Sequence, residues 1–439
     1  MRLLIYTPTL TPRVQYAWEV LLRYVLKTDF ELTTDLETYL RSDACKINYS
    51  NERRNPSEVF IPAGKLLFES GIRPQQIDLF RVEQLPAFFQ QSAQEVDFPF
   101  DFPSLVFYLI SRYEEYLPYE RDVHGRFPAR ASLAYREGFL QQPLVNQWAC
   151  RLRELLEARF PGFTLPKLTY RFQPTYDVDM AWAYHYKGWV RNISGAFRDF
   201  FKGNFQDIIH RFRVLSGVAE DPFYSFPYLE QLHRQLNLKP IFFFLLGDYG
   251  NFDKNISPRQ PALRELIHQI HRRYPIGIHP SYQSDGQPAQ IRREVQRLKE
   301  ITEDPVVRSR QHFLLLRLPQ TYRELLGTGI TSDYTMGFAA ETGFRASIAT
   351  PYPWYDLEKE QATSLMVHPF QVMDVTLKNY LRFQPEEAVA RVGQLIEATK
   401  AVNGTFSTIW HNSSFSKLEK WHAWREVYEV IVKMATKSH

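Results

Sequence analysis

Residues 166–439 predict an α/β fold built on a parallel sheet, and three observations carry that expectation. Strand-like apolar runs alternate there with helix-like amphipathic stretches. Polar clusters fall just after the apolar runs, where parallel sheets gather their sites. The pair Pro161-Gly162, followed by Pro166, punctuates the chain just before the alternation begins. With 439 residues the chain is well past the ~250–300 at which one core usually divides. Two domains are therefore expected, 1–165 and 166–439, and the pattern leaves the second sheet open or closed into a barrel.

From the amino terminus, Leu3–Tyr6 is a short apolar run that reads as a strand, and the apolar spacing over about 14–26 predicts a helix. Residues 46–56 are polar, with turn formers around Glu52-Arg53-Arg54, and Val59–Pro62 reads as another strand. Residues 101–116 place apolar side chains at helical spacing behind Pro103, which suits a first helical turn. A further helix is expected over about 143–159, so the first unit reads as a smaller α/β or α+β domain. Beyond the boundary, strands are expected at 170–176, 239–246, 276–279, 344–348, 364–367 and 404–410. Helices are expected at 260–273, 289–302, 321–327 and 386–402.

Composition narrows the function classes. Lys and Arg total 53 against 49 for Asp and Glu, and no block of five basic residues occurs, which disfavours nucleic-acid binding driven by phosphate neutralisation. Aromatic residues reach 15%, a level that lines carbohydrate or nucleobase sites or simply fills large cores. Cys45 and Cys150 are too few for a disulfide framework and too far apart for a CxxC metal site, which suits a reducing compartment or simply buried thiols. Met1-Arg2-Leu3-Leu4-Ile5-Tyr6 reads as a strand and not as a signal peptide, and no run approaches the ~18–20 apolar residues that span a bilayer. The expectation is a soluble cytoplasmic protein.

The chemistry-bearing residues follow the predicted strands. In Thr175-Tyr176-Asp177-Val178-Asp179 the two carboxylates stand two apart on extended chain, so both enter one cavity. Two carboxylates that close call for a compensating cation, such as a divalent metal on one with the other left as base; capping of the next helix is the competing reading. His279, held between a strand and Pro280, suits a ligand. Arg308-Ser309-Arg310-Gln311-His312 supplies guanidinium groups, one of which can orient the base, and an imidazole. His368 and His411 end two further strands, and imidazoles with apolar flanks are poised for proton transfer near neutral pH.

In order and spacing this set resembles the polysaccharide deacetylase superfamily, carbohydrate esterase family 4 and its relatives, over about residues 168–415. Thr175-Tyr176-Asp177-Val178-Asp179 is similar to the family's Thr-Phe-Asp-Asp with one inserted residue, which implies Asp177 as base and Asp179 as metal ligand. His279 matches the first position of His-Ser/Thr-x-x-His, while Gln283 stands where the second His belongs. Arg310-Gln311-His312-Phe313 is similar to Arg-x-Pro-Tyr/Phe, so Arg310 (in preference to Arg308) would orient the base and His312 would supply the missing ligand. Ile409-Trp410-His411 is similar to Leu-x-His and makes His411 the general acid.

The resemblance implies a distorted (β/α) barrel, a divalent metal with zinc expected, and hydrolysis of an N-acyl group on a carbohydrate. Tyr282, Tyr334, Trp410 and His368 are the expected substrate contacts. Two rival readings are a barrel that lost a ligand and binds glycan or a protein partner, and a metal-free glycoside hydrolase. The first unit resembles an uncharacterised domain that precedes such barrels in some bacterial proteins. Its Ser111-Arg112-Tyr113-Glu114-Glu115-Tyr116 and Asp122-Val123-His124-Gly125-Arg126-Phe127 are distinctive and are expected to pack the two domains together.

Overall fold

The computed structural model describes residues 2–416, 421 and 423–437, and two sheets organise it. The first consists of β1 Leu3–Tyr6, β2 Glu31–Thr33, β3 Cys45–Ser50 and β4 Val59–Pro62, all parallel, in the order β2-β1-β3-β4. Every residue of β1, β3 and β4 is buried. The segment expected to be polar and turn-rich therefore begins as a central strand. Its polar groups are satisfied internally: Lys46 Nζ donates to the Leu40 carbonyl at 2.9 Å and Asn48 Nδ2 to Glu58 Oε1 at 2.7 Å.

Helices cover this sheet where the apolar spacing predicts them. Thr11 caps Pro12–Glu19 by accepting from the Val14 N–H, and the helix continues as a π-helical turn over Val20–Val25. Asp101 caps Phe102–Ile110 by accepting from the Ser104 N–H, and a 3-10 turn, Tyr113–Tyr116, follows. A short antiparallel hairpin, β5 Phe80–Val82 with β6 Leu85–Ala87, and the helix Leu144–Arg159 complete the unit.

The second sheet has nine strands: β7 Arg171–Val178, β8 Ile241–Phe244, β9 Ile276–Ile278, β10 Arg308–Ser309, β11 Ser332–Asp333, β12 Tyr352–Asp356, β13 Gln361–Val367, β14 Val372–Met373 and β15 Thr405–His411. Their order is β12-β13-β11-β10-β9-β8-β7-β15-β14, parallel throughout except for β12 against β13. The protein is thus a mixed α/β structure with parallel sheets. Among the described residues the hydrogen-bonded ladder is open, with β12 and β14 at its ends. It is nevertheless strongly curved. Arg310 at the end of β10 donates to Asp177 on β7, three strands away, a span of about 14 Å in a flat sheet.

Proline opens four helices of this unit, Phe226–Gln235, Pro261–His271, Pro288–Thr302 and Pro385–Ala401, at the position where its missing N–H costs nothing. The expected strand at 344–348 does not form. Arg345 is drawn out of any ladder to Glu115, and Ser347 adopts φ +52° while its carbonyl accepts from the Val145 N–H. Between β7 and β8 the chain also makes an excursion absent from the sequence expectations, the helical hairpin Trp189–Phe201 and Phe205–Leu215. No helix among the described residues is long and apolar enough to cross a membrane.

One hydrophobic core runs through both sheets, and polar contacts reinforce their junction. Tyr16 donates to the Pro353 carbonyl at 2.7 Å, and Asn146 Nδ2 donates to Thr350 Oγ1 at 2.9 Å. The deepest link is Glu115, which accepts from Arg112 Nε at 2.7 Å and from Arg345 at 2.7 and 2.9 Å, with all three side chains at most 2% exposed. Removing the shared carboxylate leaves the buried Arg345 without a carboxylate partner and Arg112 with Glu114 alone, at 2.9 Å. Glu115→Ala should therefore lower stability by about 3–5 kcal/mol in chemical denaturation, whereas a loss below 1 kcal/mol would show that the cluster is not a structural joint.

Candidate metal centre and active site

Strand alternation and strand ends deliver the site. Asp177 sits one residue before the end of β7 and Asp179 one residue past it; Asp177 pairs with Phe243 on β8 and with His411 on β15, so these three side chains share a face. Gly277 on β9 keeps that face open, since a Cβ there would stand 2.6 Å from the Phe243 ring. His279 follows β9 directly. His312 enters through a single 3-10 turn whose next two residues, Phe313 and Leu314, take φ values of +58° and +54°. Two bulky residues in that region store strain of the kind found where a side chain is aimed with purpose.

The imidazoles surround Asp179. His279 Nε2 lies 3.4 Å from Asp179 Oδ1, and Nε2 of His312 and of His411 lie 3.6 and 3.8 Å from Asp179 Oδ2. His279 Nε2 is also 3.8 Å from Asp177 Oδ2. The other ring nitrogen of each histidine is anchored: Nδ1 of His279 on the Arg310 carbonyl at 2.6 Å, of His312 on Asp253 Oδ1 at 2.9 Å, of His411 on Asp374 Oδ1 at 2.8 Å. An Nδ1–H bound to a fixed acceptor leaves Nε2 as the atom that faces inward. Asp177, buried, accepts from Arg310 Nη1 at 2.8 Å. Arg310 is also completely buried, and its Nε donates to the Tyr334 carbonyl at 3.0 Å. Of the two arginines weighed from the sequence, Arg310 is the one beside Asp177.

The residues fit a cation. Asp179 Oδ1 is buried and makes no hydrogen bond among the described residues. One donor atom each from Asp179, His279 and His312 lies within 4.8 Å of the others, a carboxylate-and-imidazole set that suits a divalent metal such as zinc. The field points the same way. Burial disfavours the imidazolium of His312, but Asp179 and Asp253 outweigh it and push the group up to about 9. Burial likewise opposes the charge on His411, yet Asp374, Asp179 and Asp177 push it up to about 10. Burial would raise Asp179, and the surrounding imidazoles instead hold it well below the carboxylate range. A centre that binds protons this tightly is one that attracts a metal in their place.

Gln283, at the position where the resemblance calls for a second histidine, does different work. Its backbone N–H and its side-chain amide both donate to Asp253 Oδ2, and the amide also reaches the Asp248 carbonyl. Gln283 thus steadies the carboxylate that orients His312.

The expected substrate contacts divide. Tyr282 is half-buried and belongs to an aromatic wall with Phe252, Phe313 and His124, its ring stacked on Phe252 at 4.3 Å. Trp410 is fully buried against Phe415, Trp424 and Tyr428, because its neighbour His411 takes the opposite face of β15, so it cannot stack on a sugar. Tyr334 is also buried, its ring set between Phe243 and His368, and presents no open face. His368 completes that stack; burial, with Arg308 nearby, pushes it down to about 4, so it is a neutral ring.

Sequence reasoning missed Asp253, Asp374 and the reach of His124. Asp374 follows β14, a strand of two residues, too short to show any period; Asp253 lies in an irregular loop after β8. The segment around His124 does join the two sheets' halves: Arg126, held by Asp122 at 2.7 Å, donates to the Phe313 carbonyl at 2.7 Å, inside the strained turn behind His312.

Residues 3–161 match the model of a family of unknown function (DUF7033). No curated protein matches the chain. Among solved structures the chain is similar to a candidate polysaccharide deacetylase from Mycobacterium smegmatis, with 15% identity and a TM-score of 0.40 over 63% of this chain and 86% of that one. It is also similar to the 4-alpha-glucanotransferase of Thermococcus litoralis, with 12% identity and a TM-score of 0.36 over 62% of this chain and 38% of that one. A mutant of a CE4-family pseudoenzyme with restored enzymatic activity shows 11% identity and a TM-score of 0.25 over 60% and 63%. At these levels the chemistry of the site rests on its own geometry.

Asp253 touches no candidate ligand atom that faces inward; it acts through His312. Asp253→Ala should weaken zinc binding by about 10–100-fold in calorimetric titration, with the fold intact by circular dichroism. An unchanged affinity would remove His312 from the ligand set.

Proposed function

We propose that the chain is a metal-dependent hydrolase that removes an N-acyl group, such as acetyl, from a carbohydrate. The observation that carries this reading is the convergence of three inward-facing Nε2 atoms on Asp179, with a separate carboxylate, Asp177, clamped by Arg310 at its edge. Asp179, His279 and His312 would hold the metal, zinc by the chemistry of the donors. When bound, that ion supplies Lewis-acid polarisation of an acyl oxygen and of water. Asp177, its rotamer fixed by Arg310, accepts the proton of the attacking water. His411, held by Asp374 and charged at neutral pH in the free site, gives its proton to the departing amine nitrogen. Tyr282 offers an apolar face to a sugar ring beside the centre.

The strong curvature that brings Arg310 to Asp177 supports a distorted (β/α) barrel of the polysaccharide deacetylase type over 166–439, with 1–165 as a domain that buttresses it. The substrate would be an N-acylated sugar or oligosaccharide.

Metal analysis of the purified protein should find one zinc per chain after loading, and Asp179→Ala or His279→Ala should abolish it. Asp177→Asn should retain the metal while lowering kcat on N-acetylated oligosaccharides by about 10²–10⁴-fold. Failure to bind stoichiometric metal under any loading condition would overturn the hydrolase reading, and activity indifferent to chelators would reassign it to metal-free chemistry.

A further inference from the structure

The hairpin Trp189–Phe201 and Phe205–Leu215 has its polarity reversed relative to a helix pair packed on a soluble core. Toward the protein it buries a charged network: Arg211 donates to Asp199 Oδ2 at 2.5 Å and to Asn192 Oδ1 at 3.3 Å, and lies over the Tyr184 ring. Gly195 makes room for that guanidinium, which a Cβ would approach to 2.8 Å. Toward solvent it turns Trp189, Ile193, Phe197 and Phe201, spaced by four, together with Ile209 and Phe212, all between 47 and 83% exposed. Of these, Trp189, Ile193, Phe197 and Phe212 line an open groove of about 630 Å³ whose surface is almost wholly apolar. A surface this apolar marks a contact.

Charge identifies the occupant. Residues 185–218 contain six Lys and Arg against two Asp, a net of +4, which equals the formal charge of the whole chain and leaves the remainder neutral. Arg211 already neutralises Asp199, so the net positive charge rests on the other cations of the hairpin, with Asp207 the remaining carboxylate. A second copy seated on this face would bring two such hairpins of like charge together. An anionic bilayer has the complementary sign and an apolar interior to receive the rings. Aromatic residues on one face with Lys and Arg beside them are the pattern of helices that lie in a membrane interface.

We infer that this hairpin docks the protein on anionic membranes, inserting its apolar face among the lipids while the exposed Arg198, Lys202 and Arg213 meet the headgroups. Docking is independent of the hydrolase reading; it concerns where the chain resides. The hairpin also stands close to the centre. The backbone between Asp179 and the first helix is pinned by Asp221, which accepts from the N–H groups of Ala183, Tyr184 and His185. Arg191 donates to the Asn255 carbonyl, two residues from Asp253. A cavity of about 640 Å³ lies between, bordered by Met180, Lys187, Arg191, Arg198 and Lys254.

Flotation of the full chain with vesicles of phosphatidylcholine and phosphatidylglycerol mixed about 7:3 should carry it into the lipid layer, and phosphatidylcholine alone should bind it at least about ten-fold more weakly. Phe197→Asp combined with Phe212→Asp, both at exposed positions, should reduce anionic-vesicle binding at least about ten-fold, with unchanged circular dichroism. Arg198→Gln with Lys202→Gln should weaken binding and flatten its salt dependence. Absence of binding to the anionic vesicles, equal binding to both compositions, or a wild-type dimer that the aspartate variant converts to monomer would each overturn the proposal, the last by assigning the face to a second copy.

Discussion

Everything at the centre depends on the three hydrogen bonds that hold the histidines by Nδ1. An imidazole free to rotate would present either nitrogen; one bound at Nδ1 to the Arg310 carbonyl, Asp253 or Asp374 presents Nε2 alone. Those acceptors come from the end of β10, the loop after β8 and the end of β14. The strand order, which sets these pieces around Asp179, is therefore part of the coordination chemistry. The cost of crowding four carboxylates near three imidazoles appears as bound protons in the free protein, and the same crowding defines what the centre attracts.

Much of this was legible in the chain. The parallel sheet followed from alternation, and most helices from apolar spacing and first-turn prolines such as Pro261 and Pro385. The order of Asp177, Asp179, His279, Arg310, His312 and His411 pointed to one cavity, and the structure brings those six together. What was not legible depends on distance along the chain. Asp253 and Asp374 matter because of what folding sets beside them, and neither sits in a pattern that sequence can flag. Trp410 shows the converse: adjacent to His411 in sequence, it lies on the other side of the sheet, since strand neighbours diverge by construction. The run at 344–348 has strand composition, but the buried attraction of Arg345 for Glu115 outweighs any ladder it would join.

The first unit contributes more than mass. Tyr113–Tyr116 carries Glu115 into the shared core, and the segment from Asp122 to Phe127 carries Arg126 to the turn behind His312. The aromatic wall beside the centre likewise draws His124 from the first unit and Tyr282, Phe252 and Phe313 from the second.

The bond from Arg126 to the Phe313 carbonyl bears on how such a chain can be divided. Left-handed conformations at Phe313 and Leu314 are unfavourable unless something outside the turn holds them, and part of that hold is a residue nearly two hundred positions earlier. The part of the chain that carries His312 is thus tied to the part that carries Arg126. Cutting the chain between Arg126 and Phe313 would take that bond away from the turn that positions His312.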